Sequence, residues 1–281
     1  MQDFVHLHVH TQYSILDGQA AIPKLVDKAI KDGMRGMAIT DHGNMMGIKE
    51  FFNYTNKVTG KAKGIVKDTE AKLASLQDGT YAPKFDKEGK NPDEGKTKEQ
   101  LISECEATLK KQRPIANFKP IFGCEMYVAR RGDKSLKQDR TDQSGWHLIV
   151  LAKNEHGYHN LIKLISYAHI RKKDNEPARI TLDMLKEKTE GLIALSGGVK
   201  GVIGKCLLAE NKELAEEKCL LLKELFGDRF YMEIQRHNLA DEITTEPDFL
   251  NLAYKHNIPL VATNECYFAS RDMYQAHDVL L

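Results

Sequence analysis

The chain has 281 residues, of which 41% are hydrophobic and 29% are charged, and its formal net charge is +1. These values are ordinary for a globular protein and leave room for one large α/β domain or two smaller ones. The near-neutral charge gives no overall electrostatic case for nucleic-acid binding, and no apolar run approaches the ~20 residues of a membrane-spanning helix. Since the N-terminus also lacks a signal-peptide pattern, we expect a cytoplasmic protein with no membrane partner, whose five cysteines are free thiols.

Three histidines occupy alternate positions near the N-terminus, in a predicted β-strand over residues 5–9. Side chains alternate between the two faces of a strand, so His6, His8 and His10 would share one face. Imidazoles two residues apart can converge on a single ion. The alternative is a half-buried strand whose polar face is rich in histidine. Further histidines and acidic residues downstream favour the metal site.

Helices and strands then alternate along the chain. Pro23 and Gly33 delimit a predicted helix over residues 22–30. The other predicted strands cover 37–40, 120–122, 147–152, 191–195, 230–235 and 259–263, and the other helices cover 45–58 and about 155–169, 211–226 and 245–256. This alternation predicts a mainly parallel sheet or a βα barrel, in which functional groups gather where strands end.

Residues 60–113 interrupt this pattern, because they are rich in Lys, Asp, Glu, Gly and Gln and show little apolar periodicity. We expect a mobile loop over residues 79–98 and an exposed amphipathic helix over residues 99–111. The lysines could contact a phosphate backbone, but the acids between them favour a merely solvated surface. We therefore interpret the segment as a charged, partly flexible insertion within a single domain that covers residues 1–281.

Ligand-type side chains recur at the ends of the predicted strands. In chain order they are His8, His10, Asp17, Asp41, His42, Cys124, Glu125, His147, His237, Glu265, Cys266 and Tyr267. Imidazole and carboxylate groups are the ligands expected for Zn, Mn or Fe where thiolates are absent. A carboxylate such as Glu125 can bridge two ions, and paired cations stabilise both the attacking and the leaving oxygen in phosphoester hydrolysis.

Each of these residues also has an ordinary explanation. Asp41 could cap the helix that follows it, and His237 could belong to a simple turn. His147 stands at the beginning of its predicted strand, which a barrel with all its ligands on one rim does not explain. Taken together, however, the residues favour metal chemistry, because nearly every predicted strand supplies one ligand-type side chain at a terminus.

Three motifs strongly resemble the PHP (polymerase and histidinol phosphatase) domain: His-Leu-His-Val-His at 6–10, Tyr-Ser-Ile-Leu-Asp-Gly at 13–18 and Ala-Ile-Thr-Asp-His-Gly at 38–43. Further stretches resemble the version of this domain that begins the alpha subunits of bacterial replicative DNA polymerase III, at 43–47, 119–129, 147–154, 157–161 and 262–264. The resemblance spans nearly the whole chain outside the insertion, and a match across this many motifs is specific.

The resemblance implies a distorted seven-stranded, TIM-barrel-like βα barrel of parallel-type strands, with up to three divalent ions at one end. The ions would be Zn or Mn, with Fe as a further candidate. Carried over by motif, the ligand sets are His8, His10, Glu125 and Glu265 for the first ion, Glu125, His147 and His237 for the second, and Asp17, His42 and Tyr267 for the third. The catalytic candidates among them are Glu125, His10 and Asp17.

Two positions depart from the family's usual Asp-x-His ending. Glu265 keeps a carboxylate but adds one methylene group, so it could still act as a ligand. Tyr267 is a poorer ligand than histidine, because a phenol must lose a proton near pKa 10 before it binds a cation well. The third ion site is therefore in doubt.

For function, the resemblance implies part of a DNA-directed DNA polymerase, a nucleotidyltransferase of DNA replication, with a metal centre that hydrolyses phosphoesters as a 3′–5′ exonuclease. The alternative is a non-catalytic module that stabilises the polymerase and docks a separate proofreading exonuclease subunit. A free-standing phosphoesterase similar to histidinol phosphatase is the weakest of the three hypotheses. The implied partners are DNA and other polymerase subunits. The chain ends inside a predicted helix at residues 274–281, so we expect the polymerase regions of a longer protein to be missing.

Overall fold

The computed structural model describes residues 4–85, 88–129, 145–172 and 177–281. Within these ranges the β-strands are β1 (Gly36–Ile39), β2 (Lys119–Val128), β3 (Trp146–Ala152), β4 (Arg179–Ile180), β5 (Leu192–Leu195), β6 (Phe230–Ile234) and β7 (Leu260–Ala262). They form one sheet in the order β1-β2-β3-β5-β6-β7, and the short β4, which was not predicted, pairs with β2. The neighbouring strands are parallel except around β3, which runs antiparallel to β2 and to β5.

The N-terminal segment closes this sheet into a barrel. The regular strand predicted over residues 5–9 is wrong, since only Val9 forms an isolated bridge, parallel to Cys266. Its amide bonds the Thr40 hydroxyl at 2.9 Å instead of a backbone carbonyl, which interrupts the ladder. The segment still joins both edges: the Thr40 amide donates to the Val9 carbonyl at 2.8 Å, and the His10 amide donates to the Cys266 carbonyl at 2.8 Å. The prediction of a distorted seven-stranded barrel is confirmed. The distortion lies at the N-terminal segment, which takes the place of the first strand.

The direction of β3 explains the position of His147. The sheet is mainly parallel, as predicted, but β3 departs from the parallel-type strands that the resemblance implied, and its residue His147 pairs with Tyr127 near the end of β2. An antiparallel strand begins at the rim where its parallel neighbours end. His147 therefore lies at the same end of the barrel as the groups that follow the parallel strands.

The α-helices of the described ranges surround or extend from the barrel. They are α1 (Ile22–Lys31), α2 (Ile48–Asp78), α3 (Lys98–Ala116), α4 (Glu155–Arg171), α5 (Leu182–Lys186), α6 (Val202–Leu208), α7 (Lys212–Phe226), α8 (Ala240–Lys255) and α9 (Tyr274–Leu280). Pro23 lies in the first turn of α1 and Gly33 follows its end at φ 80°, as predicted. Among the described helices, none has the length and apolar character that crossing a bilayer requires.

Much of the segment at residues 60–113 is helical. The helix predicted to end at residue 58 continues as α2 to Asp78, so that predicted boundary was wrong. Helix α3 begins with a capping box, in which the Thr97 hydroxyl and the Gln100 side chain each accept the other's backbone amide. The two helices pack together through a small cluster of Leu76, Leu101 and Cys105. Because α2 carries many charged side chains and buries only a narrow stripe, its sequence shows little apolar periodicity.

The apolar core leaves one end of the barrel to polar groups. The largest cluster packs the sheet against α4, α6, α7 and α8, with Leu161, Leu164, Ile203, Phe226 and Phe230 among its buried side chains. A smaller cluster fills the barrel interior with Ala38, Ile149, Leu151 and Leu195. Because these side chains occupy the middle of the barrel, its histidines and acids collect at the rim where the parallel strands end.

Candidate metal centre

Glu125 lies at the middle of the histidine cluster. Its side chain is fully buried in β2. Its Oε2 atom lies 3.1 Å from His8 Nε2, 2.9 Å from His10 Nε2 and 3.2 Å from His42 Nδ1. Its Oε1 atom contacts His147 Nδ1. One carboxylate thus faces four imidazoles from three parts of the chain: the N-terminal segment, the loop after β1, and β3.

The ligand atoms form two groups that share Glu125. The members are His8, His10, Glu125 and Glu265 in the first group, and His42, Glu125 and His147 in the second; within each group the ligand atoms all lie within 4.8 Å of one another. The first group is the set that the family resemblance implied for the first ion. In the second group His42 stands where the resemblance placed His237.

Two buried nitrogens in this cluster need a partner. Among the described residues, His10 Nε2 and His42 Nδ1 have no hydrogen-bond partner. Both lie close to Glu125 Oε2, but neither approach has the geometry of a hydrogen bond. Leaving a buried polar atom unsatisfied costs about 1–3 kcal/mol. A bound cation would supply the missing partner, and imidazole with carboxylate is a donor set that suits Zn or Mn.

The turn after the N-terminal segment orients His10. Ser14 Oγ donates to Asp41 Oδ1 at 2.8 Å and lies 2.9 Å from His10 Nδ1. Since its own hydrogen points to Asp41, Ser14 accepts a hydrogen bond from His10 Nδ1. This arrangement leaves the lone pair of His10 Nε2 directed at Glu125. Asp41 also accepts the Thr11 amide at 2.6 Å, so it fixes this turn rather than capping a helix.

Burial and neighbouring charges shift the pKa values of three groups in the cluster. Burial lowers the pKa of His8, but the carboxylates of Glu233 and Glu125 outweigh burial and raise it to about 10. Burial lowers the pKa of His42 to about 4. Burial raises the pKa of Glu125, but His8, His10 and His147 outweigh it and hold the pKa well below its usual range. Glu125 is therefore an ionised carboxylate in a ring of imidazoles.

Glu265 and Tyr267 form a second polar contact at the edge of the cluster. Glu265 Oε1 accepts a hydrogen bond from Lys200 Nζ at 2.7 Å and another from the Tyr267 hydroxyl. The Tyr267 ring stacks on His10, with ring centroids 4.6 Å apart. Burial and the Glu265 carboxylate raise the pKa of Tyr267, so it stays a neutral phenol. A neutral phenol is a weak ligand for a cation.

Asp17 and His237 lie nearer to solvent. Asp17 Oδ2 is 3.3 Å from His42 Nε2, and 44% of the Asp17 side chain is exposed. His237 Nδ1 bonds Glu242 Oε1 at 2.6 Å, and the His237 amide donates to Glu242 Oε2 at 2.6 Å. Within the part of the chain that the structure describes, neither residue belongs to the two groups around Glu125. Their assignment as metal ligands stays a prediction.

Sequence comparison with known proteins identifies the family of this chain. The model of the PHP domain family matches residues 6–237. The chain belongs to the PHP domain family. This PHP domain is 48% identical over 279 residues to the DNA polymerase III subunit alpha of Rickettsia bellii, covering 99% of the chain and 18% of the relative. It is 32% identical over 278 residues to the DNA polymerase III subunit alpha of Borreliella burgdorferi, covering 99% and 19%.

The PHP domain thus spans about a fifth of the length of these curated relatives. Among solved structures it is similar to an amidohydrolase from Chromobacterium violaceum, with a TM-score of 0.43, 11% identity, and coverage of 98% of this chain and 96% of that chain. That likeness is distant, and the family assignment rests on the sequence match.

Sequence reasoning missed two charged residues of the PHP domain that contact the cluster. Glu233 is fully buried and lies 2.9 Å from His8 Nδ1. A signal for it existed, since it is the one charged residue in the otherwise apolar strand β6. Lys200 follows β5 in a Gly-rich turn, where a lone lysine gave no signal of its contact with Glu265.

Proposed function

We propose that this chain is the PHP domain of a bacterial DNA polymerase III alpha subunit, and that its barrel binds divalent cations in a centre that hydrolyses phosphoesters. The single observation that supports the centre best is the position of Glu125, one buried carboxylate shared by two groups of potential ligands. The similarity to alpha subunits over 99% of the chain supports the polymerase assignment.

Each residue of the centre has a defined part in this proposal. His8, His10 and Glu265 would hold one cation together with Glu125, and His42 and His147 would hold the other together with the same carboxylate. Bound cations would supply positive charge beside phosphate oxygens and lower the pKa of water. This pattern of two cation positions is typical of enzymes that cleave phosphodiesters.

The mouth of the barrel determines which groups a substrate would meet first. Asp17 is half-exposed and lies beside His42, so its carboxylate is the candidate to accept a proton during hydrolysis. His237 lies at the same rim, after β6, and stays a proposed further ligand of the second cation, with His147 and Glu125. The catalytic candidates are therefore Glu125 and His10 inside the barrel and Asp17 at its entrance.

The substrate proposed for this centre is the 3′ end of a DNA strand. A phosphoesterase centre within a DNA polymerase would meet the phosphodiester that the polymerase has just made, and a 3′–5′ exonuclease removes a misincorporated nucleotide there. In the whole protein we propose that polymerisation, the work of a DNA-directed nucleotidyltransferase, takes place outside this domain. DNA and the other polymerase subunits are the partners proposed for it, in the cytoplasm.

One observation favours a second candidate function, a structural module without catalysis. Glu265, a ligand of the first group, already carries hydrogen bonds from the Lys200 ammonium and the Tyr267 hydroxyl. A carboxylate that is neutralised in this way has less need of a cation. In this alternative the domain stabilises the polymerase and docks a separate proofreading exonuclease subunit.

Metal content and hydrolysis, measured on the same preparations, test the proposal. The purified chain is stripped with a chelator, reloaded with Mn²⁺ or Zn²⁺, and analysed by plasma mass spectrometry and by hydrolysis of a single-stranded oligonucleotide. We expect one ion for each of the two groups and release of nucleoside monophosphates from the 3′ end. Glu125→Gln should abolish both, whereas Glu246→Gln, in an outer ion pair with Arg236, should leave both unchanged.

The two readouts separate the two candidate functions. Bound metal without hydrolysis would contradict the nuclease and leave a metal-stabilised module. Metal no higher than the background in the unloaded chain would contradict the centre itself and favour the purely structural role.

A further inference from the structure

Lys200 brings a fixed positive charge to the edge of the proposed metal centre. It lies in the 3₁₀ turn Gly198–Lys200, which follows β5. Its Nζ atom is 2.7 Å from Glu265 Oε1 and 3.5 Å from the Tyr267 hydroxyl, and it lies 5.9 Å from the centroid of the Tyr267 ring. The ammonium therefore contacts both residues that depart from the family's usual Asp-x-His ending.

The surroundings of Lys200 suit a positive charge. Its Nζ atom lies beside the Glu265 carboxylate at 2.7 Å, and an ammonium is a cation at neutral pH. Of the side chain, 44% is exposed, against 11% for that of Glu265. One side of the ammonium thus meets a largely buried carboxylate, and the rest of the side chain is open to solvent.

The chemistry of Tyr267 and Lys200 is complementary. A histidine at position 267 would offer a lone pair to a cation, but the neutral phenol of Tyr267 donates its hydrogen to Glu265 instead. Without that lone pair a cation would have one ligand fewer here, whereas the Lys200 ammonium brings a positive charge to the same place. An ammonium has three donors, of which Glu265 takes one and the Tyr267 hydroxyl accepts a second, longer one.

We propose that Lys200 occupies the side of the centre where a third cation would lie, and that its ammonium binds a phosphate oxygen there. The inference rests on the proposed metal centre, which it deepens: the centre holds two ions, and Lys200 completes the positive charge around the bound phosphate. An ammonium beside a phosphate forms a charge-assisted hydrogen bond, which is stronger than a neutral one.

Binding of inorganic phosphate to the Mn²⁺-loaded chain tests the role of the ammonium, by calorimetry on variants of matched geometry. Lys200→Met keeps the length of the side chain and removes its charge, so phosphate affinity should fall about tenfold while the bound Mn²⁺ is unchanged. Lys200→Arg keeps the charge and should recover much of the affinity. Lys212→Met is the control, because Lys212 forms a similar ion pair with Asp248, at 2.8 Å, elsewhere on the surface.

The number of metal ions bound per chain tests whether Lys200 occupies the position of a third cation. Wild type should bind two ions per chain, and Tyr267→His alone should still bind two because the ammonium remains. The double variant Tyr267→His with Lys200→Met should bind a third. Three ions in wild type, or a phosphate affinity that Lys200→Met leaves unchanged with two ions bound, would overturn this proposal alone. A wild-type chain that binds no ion would contradict the metal centre first and this proposal with it.

Discussion

Glu233 Oε1 lies 2.9 Å from His8 Nδ1, on the far side of the imidazole ring from Glu125. Glu233 is itself fixed, because it is fully buried and its Oε2 atom accepts the Gly197 amide at 2.9 Å. A ligand histidine whose second nitrogen donates to a carboxylate is held in one orientation and becomes more basic. Glu233 therefore positions His8 for a cation without being a ligand.

Replacing Glu233 tests this positioning. Glu233→Gln keeps the size of the side chain but removes the charge behind His8, so the affinity for Zn²⁺ should fall about 10- to 100-fold with every proposed ligand still present. Competition with a chromophoric chelator measures that affinity. Glu246→Gln is the control on the surface. If the two variants bind Zn²⁺ equally tightly, Glu233 does not support a metal ligand.

Glu125 and Asp17 should differ in how much metal they control. Glu125→Ala removes the carboxylate common to both groups, so both cations should be lost, whereas Asp17→Ala should affect one position at most, through His42. The number of Mn²⁺ ions per chain after gel filtration gives the answer. Equal losses in the two variants would contradict the assignment of Glu125 as the shared ligand.

Metal loading should release a proton. Without a cation, His8 has a pKa of about 10 instead of its ordinary 6.5, so it is protonated at pH 7.5, and a cation must displace that proton to reach the nitrogen. Affinity should therefore increase as the pH rises towards 10. Calorimetry in buffers of different ionisation enthalpy counts the released protons. A loading enthalpy that is the same in every buffer would contradict a protonated His8.

The raised pKa of His8 should also make the stability of the metal-free chain depend on pH. A raised pKa means that the folded chain binds the His8 proton more tightly than the unfolded chain does. The stability from this group is fully present below pH 6.5 and is lost as the pH rises through about 10. Urea unfolding of the metal-free chain across this range should show the loss, and Glu233→Gln should reduce it.

Two glycines should respond in opposite ways to alanine. A Cβ atom at Gly157, in the first turn of α4, would lie 1.8 Å from the Gly191 carbonyl oxygen, so Gly157→Ala should destabilise the fold by about 1–3 kcal/mol. Gly64 lies in α2 with nothing within 4 Å of its Cβ position, so Gly64→Ala should stabilise by about 0.5–1 kcal/mol. Urea unfolding measures both. A neutral Gly157→Ala would contradict the close approach of α4 to the strand that follows Gly191.

The alternation of strands and helices was predictable because hydrophobic segments and their Gly and Pro boundaries are local features. The direction of β3 was not, since the choice between parallel and antiparallel pairing depends on the whole barrel. For this reason the sequence did not explain why His147 stands at the beginning of its strand, and the antiparallel direction of β3 does. The length of α2 was also missed, because packing on α3 stabilises a helix whose own apolar stripe is weak.

In the candidate site, too, some residues could be predicted from the sequence and others could not. His8, His10, Glu125 and His147 stand out in the sequence because imidazole and carboxylate groups at strand ends are chemically distinctive, and the structure brings them together. The place of His42 in the second group depends on the path of its loop, which no local pattern records. Glu233 and Lys200 act through contacts with residues distant in the sequence, so spacing alone does not reveal them.

Anomalous diffraction from crystals of this chain, loaded with Mn²⁺ or Zn²⁺ and measured on both sides of the metal's absorption edge, tests the central claim most directly. We expect two peaks that flank the Glu125 carboxylate, one beside His8, His10 and Glu265 and one beside His42 and His147. Loaded crystals that show the Glu125 cluster closed on itself, with no anomalous peak within coordination distance of its oxygens, would contradict the metal centre.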